Sequence, residues 1–97
     1  MGYKIELNKE ESNTLYYLIY INLLNTRSKL QELLVLKMYD YFFNTKITDG
    51  LVMELNEHEL DAIYNYIKNC KYNRYSDNGN NAMKFIVSFI NKIEKIL

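Results

Sequence analysis

Lys4-Ile5-Glu6-Leu7-Asn8-Lys9-Glu10-Glu11 and Val52-Met53-Glu54-Leu55-Asn56-Glu57-His58-Glu59 are one short passage written twice, displaced by 48 residues (56 − 8 = 48). Each copy alternates apolar and polar residues, the period of a strand with one covered face. Each then reaches an Asn followed three positions on by Glu. That spacing marks a helix start, because the Asn side chain accepts from a first-turn amide and the Glu reaches back to the cap. A helical hydrophobic pattern follows both copies. The chain is therefore expected to be an internal duplication of a strand–helix–helix unit, with units at about residues 3–43 and 51–96.

Working outward, the strands are expected at Tyr3–Leu7 and Leu51–Leu55. Helices are expected from about Lys9 to Leu24, Lys29 to Phe43, Glu57 to Tyr72 and Asn81 to Ile96, with Ser28 capping the second. Asn44 to Gly50 reads as a polar connection ending in the turn signal Asp49-Gly50, and Asn73 to Gly79 as the other long loop. Two lone strands are marginal in water, but paired and covered by helices they are stable. The fold class is α+β and mainly helical: two tandem units forming a four-helix domain with a two-stranded antiparallel ribbon, the halves related by a pseudo-two-fold. If Ile5 faces Met53, Lys4 lies opposite Glu54, a favourable cross-strand pair.

At 97 residues the chain is one domain with room for a single core. Hydrophobic residues at 48% and charged residues at 25% are ordinary globular values and argue against disorder. Twelve basic and twelve acidic side chains cancel, which removes a whole-surface attraction to nucleic acid. Cys70 is the one cysteine, so no intramolecular disulfide can form, and a reducing interior is expected. The charged N-terminal stretch lacks a signal-peptide core, and no run approaches the ~20 apolar residues that span a bilayer. An intracellular, cytoplasmic protein without a membrane segment is expected. Ten Tyr, no Trp, no Pro and abundant Asn, Lys and Ile suit an AT-rich coding sequence, as in a low-GC bacterium, its phages or an archaeal virus.

Groups that carry chemistry are sparse. His58 and Cys70 lie twelve residues apart on one expected helix, about 18 Å at ~1.5 Å per residue, too far for a nucleophile–base pair. His58 reads as an exposed first-turn residue and Cys70 as a small core filler. Glu54, Glu57, Glu59 and Asp61 suit a helix start, where the dipole favours acids, without a cation. Glycines at positions 2, 50 and 79 make no phosphate loop. No enzyme activity, metal or cofactor is expected.

The helices differ in their outer faces. On the fourth, Ala82, Phe85, Ile86, Phe89, Ile90, Ile93 and Leu97 form one stripe, with Lys84, Asn91, Lys92 and Lys95 opposite. On the third, Leu60, Ile63, Tyr66, Ile67 and Cys70 face inward and Asn65, Lys68, Asn69 and Tyr72 outward. The first has Leu15, Leu18, Ile19 and Asn22 inward, but Tyr17, Tyr20, Ile21 and Leu24 outward. The second is apolar nearly all round: Leu30, Leu34, Met38 and Phe42 can face in, leaving Leu33, Leu36, Tyr39 and Phe43. Either the first helix is central and wrapped by the others, or the first half presents an interaction surface.

The expected function is non-enzymatic protein binding through Tyr17, Tyr20, Ile21, Leu24, Leu36, Tyr39 and Phe43. A small inhibitor or adaptor encoded by a virus or mobile element, acting on a larger complex, is the setting that size and composition suggest. A homodimer through the same face is a second form of this expectation. The alternative is nucleic-acid binding through Lys68, Lys71, Tyr72, Arg74 and Tyr75, with Lys84 nearby, because cations and stacking rings suit single strands. Cations also belong at a helix C-terminus, and zero net charge makes strong binding of nucleic acid unexpected.

Overall fold

The structure, a computed structural model, describes residues 2–45 and 50–96. Its elements run β1 (Tyr3–Leu7), α1 (Lys9–Ile21), α2 (Lys29–Thr45), β2 (Leu51–Leu55), α3 (Glu57–Lys68) and α4 (Asp77–Ile96). This is the mainly helical α+β class expected. β2, α3 and α4 start 48 residues after β1, α1 and α2 (51 − 3 = 57 − 9 = 77 − 29 = 48). Asp49 of the turn signal and Leu97 of the α4 stripe lie outside the described residues. Gly50 adopts φ 89°, a left-handed conformation that only glycine takes without strain.

β1 and β2 pair antiparallel with Ile5 opposite Met53 and Lys4 opposite Glu54. Ile5, Leu7, Leu51, Met53 and Leu55 are buried on the helix side of the ribbon. Lys4 Nζ takes its ion pair along the strand instead, with Glu6 at 3.4 Å. Both caps form complete boxes. Asn8 Oδ1 accepts from Glu11 N at 2.8 Å while Asn8 N donates to Glu11 Oε1 at 3.0 Å, and Asn56 with Glu59 repeats this at 2.8 and 2.9 Å. Each box satisfies two amides that a helix start leaves orphaned.

The helices surround one core, with α1 beside α2 and α4, and α3 likewise beside α2 and α4. α1 is thus one of four walls rather than a central helix. Lys92, late in α4, donates to the Glu6 carbonyl at 3.2 Å and pairs with Glu11 at 3.4 Å. This places the start of α1 beside the end of α4, at the ribbon. The loops 22–28 and 69–76 consequently meet at the opposite end.

α1 and α3 both stop earlier than expected, at Ile21 and Lys68 rather than Leu24 and Tyr72. They stop against each other. Asn22 Nδ2 donates to Lys71 O at 2.8 Å, and Lys71 N donates back to Asn22 Oδ1 at 2.8 Å. Tyr66 Oη donates to Asn22 O, also at 2.8 Å. Peptide groups needed to continue either helix are held in this cross-tie, and the turn from Asn22 closes through Asn25 N at 2.9 Å.

α4 begins at Asp77, four residues before the expected Asn81 (81 − 77 = 4). Ser76 is the reason: its Oγ accepts from Gly79 N at 2.9 Å, as Ser28 Oγ accepts from Gln31 N at 3.1 Å. α2 extends to Thr45, beyond Phe43. In α2, Leu34, Val35, Met38 and Phe42 are buried, and Gln31 is buried with them, donating to Ala62 O at 3.2 Å. Leu30, expected inward, is exposed.

Ser12 is wholly buried and its hydroxyl has no hydrogen-bond partner. Leu60, 48 residues on, is equally buried but apolar. An unsatisfied buried hydroxyl costs about 1–3 kcal/mol, and Ala also favours helix. Ser12→Ala should therefore raise the unfolding free energy by about 1 kcal/mol in urea denaturation. A loss of stability would show that the hydroxyl is satisfied in solution.

Candidate interaction surface

Tyr16 fixes how α1 and α2 lie together. Its ring packs 5.9 Å from Tyr39 and 5.7 Å from Phe42, and Tyr39 stacks on Phe43 at 6.2 Å. The helices are antiparallel neighbours, so one turn further along α1 comes one turn earlier in α2. Tyr20, a turn beyond Tyr16, therefore falls beside Leu36, a turn before Tyr39 and Asp40. Tyr20 is 66% exposed and Phe43 65% exposed, with Leu36 also in solvent and Tyr39 half-buried as the floor.

Of the expected partner-binding set, Tyr20, Leu36, Tyr39 and Phe43 share this α1–α2 face. Tyr17 does not. It is half-buried against the core and lines a groove toward α4 with Thr14, Phe85 and Ser88. Ile21, one turn on from Tyr17, is exposed on that same flank. Leu24 lies beyond the helix end and is 95% exposed.

The outer faces of the other helices are less clear-cut than their sequence suggests. Met83 and Val87 are also exposed on α4, alongside the expected Lys84, Asn91 and Lys95. Ile86 and Ile90 of the expected stripe are half-buried, at its margin. Even so, eight of the twelve exposed large apolar side chains among the described residues lie between positions 20 and 43: Tyr20, Ile21, Leu24, Leu30, Leu33, Leu36, Tyr41 and Phe43. Of these, Tyr20, Leu36 and Phe43 share the α1–α2 face, while Leu30, Leu33 and Tyr41 project from other sides of α2. The shared three, on their tyrosine floor, make α1–α2 the candidate surface.

The basic-aromatic set is partly dispersed. Lys68 sits over the Tyr64 ring at 5.6 Å, a cation–π contact on α3. Tyr72 is half-buried against the core, and Lys84 lines the α1–α4 groove. Lys71, Arg74 and Tyr75 are exposed, and the Asn22–Lys71 cross-tie sets them at the same end as Leu24. Two surfaces that look separate in sequence thus adjoin.

Among the described residues, no group of three or more His, Cys, Asp or Glu could hold a metal ion. His58 is exposed, and Cys70 is buried close to Tyr66. Burial pushes the Cys70 thiol up to about 12 from 9.0, against the smaller opposing effect of the neighbouring Tyr66 hydroxyl. Burial also raises the Tyr66 phenol, helped by the neighbouring Cys70. Both groups hold their protons more tightly folded than unfolded. Their contribution to stability is complete below about pH 9 and is lost as the pH rises toward 12. The unfolding free energy from urea denaturation should fall through that window by up to about 1.4 kcal/mol per pH unit per group. Cys70→Ala should make the fall shallower. A flat profile above pH 9 would remove the buried pair as its cause.

No helix among the described residues is long and apolar enough to cross a membrane. Set against known protein families, curated proteins and solved structures, the chain matches none of them.

Proposed function

We propose that the chain is a non-enzymatic protein-interaction module that binds through the α1–α2 face: Tyr20, Leu36 and Phe43 in solvent, on a floor of Tyr16 and Tyr39. The supporting observation is the exposure of Tyr20, Leu36 and Phe43 around the Tyr16–Tyr39 ring contact. An exposed apolar face of this kind mostly serves recognition. Tyrosine adds large area and a hydroxyl at little entropic loss. Leu24 extends the site at the end of α1, while Tyr17 and Ile21 flank it on the α4 side. In this reading the protein acts inside a cell, as an inhibitor or adaptor of viral or mobile-element origin built from a duplicated unit.

Site-specific photocrosslinking tests this. Benzoylphenylalanine in place of Tyr20 or Phe43, but not in place of Val87, should give a discrete adduct heavier than the 11.7 kDa chain. An adduct of twice that mass would identify the partner as a second copy. Absence of adducts, or equal adducts from Val87, would refute the reading. The nucleic-acid alternative keeps one observation in its favour, the adjoining Lys71, Arg74 and Tyr75. It requires affinity that falls steeply with salt.

A further inference from the structure

The end of the bundle away from the ribbon carries the two most exposed large apolar side chains among the described residues, Leu24 at 95% and Tyr75 at 91%. They stand on different loops, but those loops are one body. Two hydrogen bonds join Asn22 to Lys71, and a third runs from Tyr66 to the Asn22 carbonyl.

Charge is segregated around them. Residues 21–32 and 68–78 hold Arg27, Lys29, Lys68, Lys71 and Arg74 against Asp77 and Glu32, the latter paired with Lys29 at 3.9 Å, a net of +3. The neutral total leaves the rest of the chain at −3, seven basic against ten acidic residues (12 − 5 = 7; 12 − 2 = 10). Net neutrality hides a strongly polarised molecule.

We propose that this end anchors the protein partner, and that the partner meets it with an acidic segment bearing apolar side chains. The inference rests on the α1–α2 face being a protein-binding surface, which Leu24 continues onto the end. Guanidinium groups of Arg27 and Arg74 suit carboxylates, which they grip with two parallel bonds. Protein is favoured over nucleic acid because Leu24 offers no ring for a base. Tyr72 is half-buried against the core, which leaves Tyr75 as the free ring of the basic stretch. Rim charges of this kind govern encounter rate and salt dependence, while the apolar anchors hold the complex.

Fluorescence anisotropy on the full chain tests the proposal. The probe is a labelled amphipathic peptide of Glu and Leu, compared with a Glu/Ser peptide of equal charge, a Lys/Leu peptide and an oligothymidine. The Glu/Leu peptide should bind saturably, and each other probe at least about tenfold more weakly. Arg27→Glu with Arg74→Glu, and separately Leu24→Ser, should each weaken it at least about tenfold. Val87→Ser should leave it unchanged. All of these side chains are in solvent, so unchanged circular dichroism is the expected control. Failure of the Glu/Leu peptide to bind, equal binding of the Lys/Leu peptide, or tighter binding of oligothymidine would overturn the proposal. Weakening by Phe43→Ser but not by the charge reversal would overturn it while leaving the α1–α2 face standing.

Discussion

Asn22→Ala should lower the unfolding free energy by about 2–4 kcal/mol, one of the largest effects of any polar substitution in this chain. The Asn22 side chain is buried and makes three bonds: to Leu18 O at 2.9 Å, and to Lys71 O and from Lys71 N at 2.8 Å each. Alanine removes all three and strands the part-buried peptide groups of Lys71. Stranding a donor costs its desolvation in full, more than the roughly 1 kcal/mol net worth of an ordinary hydrogen bond. For a domain of this size the melting midpoint should fall by about 10–25 °C. Asn25→Ala, at an exposed position of the same loop, should stay within about 0.5 kcal/mol. Amide exchange at Lys71 should accelerate in Asn22→Ala. If the substitution costs under about 1 kcal/mol, packing by Leu18 and Ile67 holds the loops together, and the amide cross-tie is incidental.

That cross-tie also marks where sequence reasoning stopped. The strands and both Asn–Glu caps are legible because each depends on residues a few positions apart. The register, which pairs Ile5 with Met53, is available only as a condition suggested by the repeat. The ends of α1 and α3 depend on Asn22 meeting Lys71, 49 positions away (71 − 22 = 49), and no local pattern announces such a contact. Read locally, Asn22 was one more inward residue and Tyr72 one more helical one. The start of α4 was a different kind of miss. Asn78-Gly79 resembles turn chemistry, yet Ser76 stands 48 positions after Ser28 and could have been read as the second cap from the repeat alone.

The candidate surface was legible in outline only. Helical spacing separated Leu15, Leu18 and Ile19 from Tyr20, and solvent exposure agrees. It could not divide the outward set between two flanks. Tyr17 turns toward α4 and Tyr20 toward α2, a distinction that needs to know which neighbour lies on which side. The joining of Leu24 to Lys71 and Arg74 at one end was equally out of reach, since it follows from the antiparallel run of all four helices.

Gly79→Ala should destabilise the protein by about 1–3 kcal/mol, with a sign opposite to what helix propensity gives. Gly79 lies in the first turn of α4, where alanine is ordinarily favoured by about 1 kcal/mol over glycine. Here a β-carbon would overlap the Asn73 carbonyl oxygen, a backbone atom. That oxygen is held in place, accepting from Ser76 N at 3.2 Å and from Ser76 Oγ at 3.0 Å. Asn73 Oδ1 also accepts from Tyr75 N at 3.0 Å, so the turn is braced from both ends. Relief of the overlap requires either unwinding the first turn of α4, with loss of the Ser76 cap, or displacing the loop that carries Arg74 and Tyr75. Asn80→Ala, one residue on and exposed, should instead be neutral or stabilising by a few tenths of a kcal/mol. The pair separates sterics from propensity, because both substitutions introduce the same residue into the same turn. Urea denaturation of the two variants decides it, and a stabilising Gly79→Ala would mean that the 73–76 turn does not close on α4.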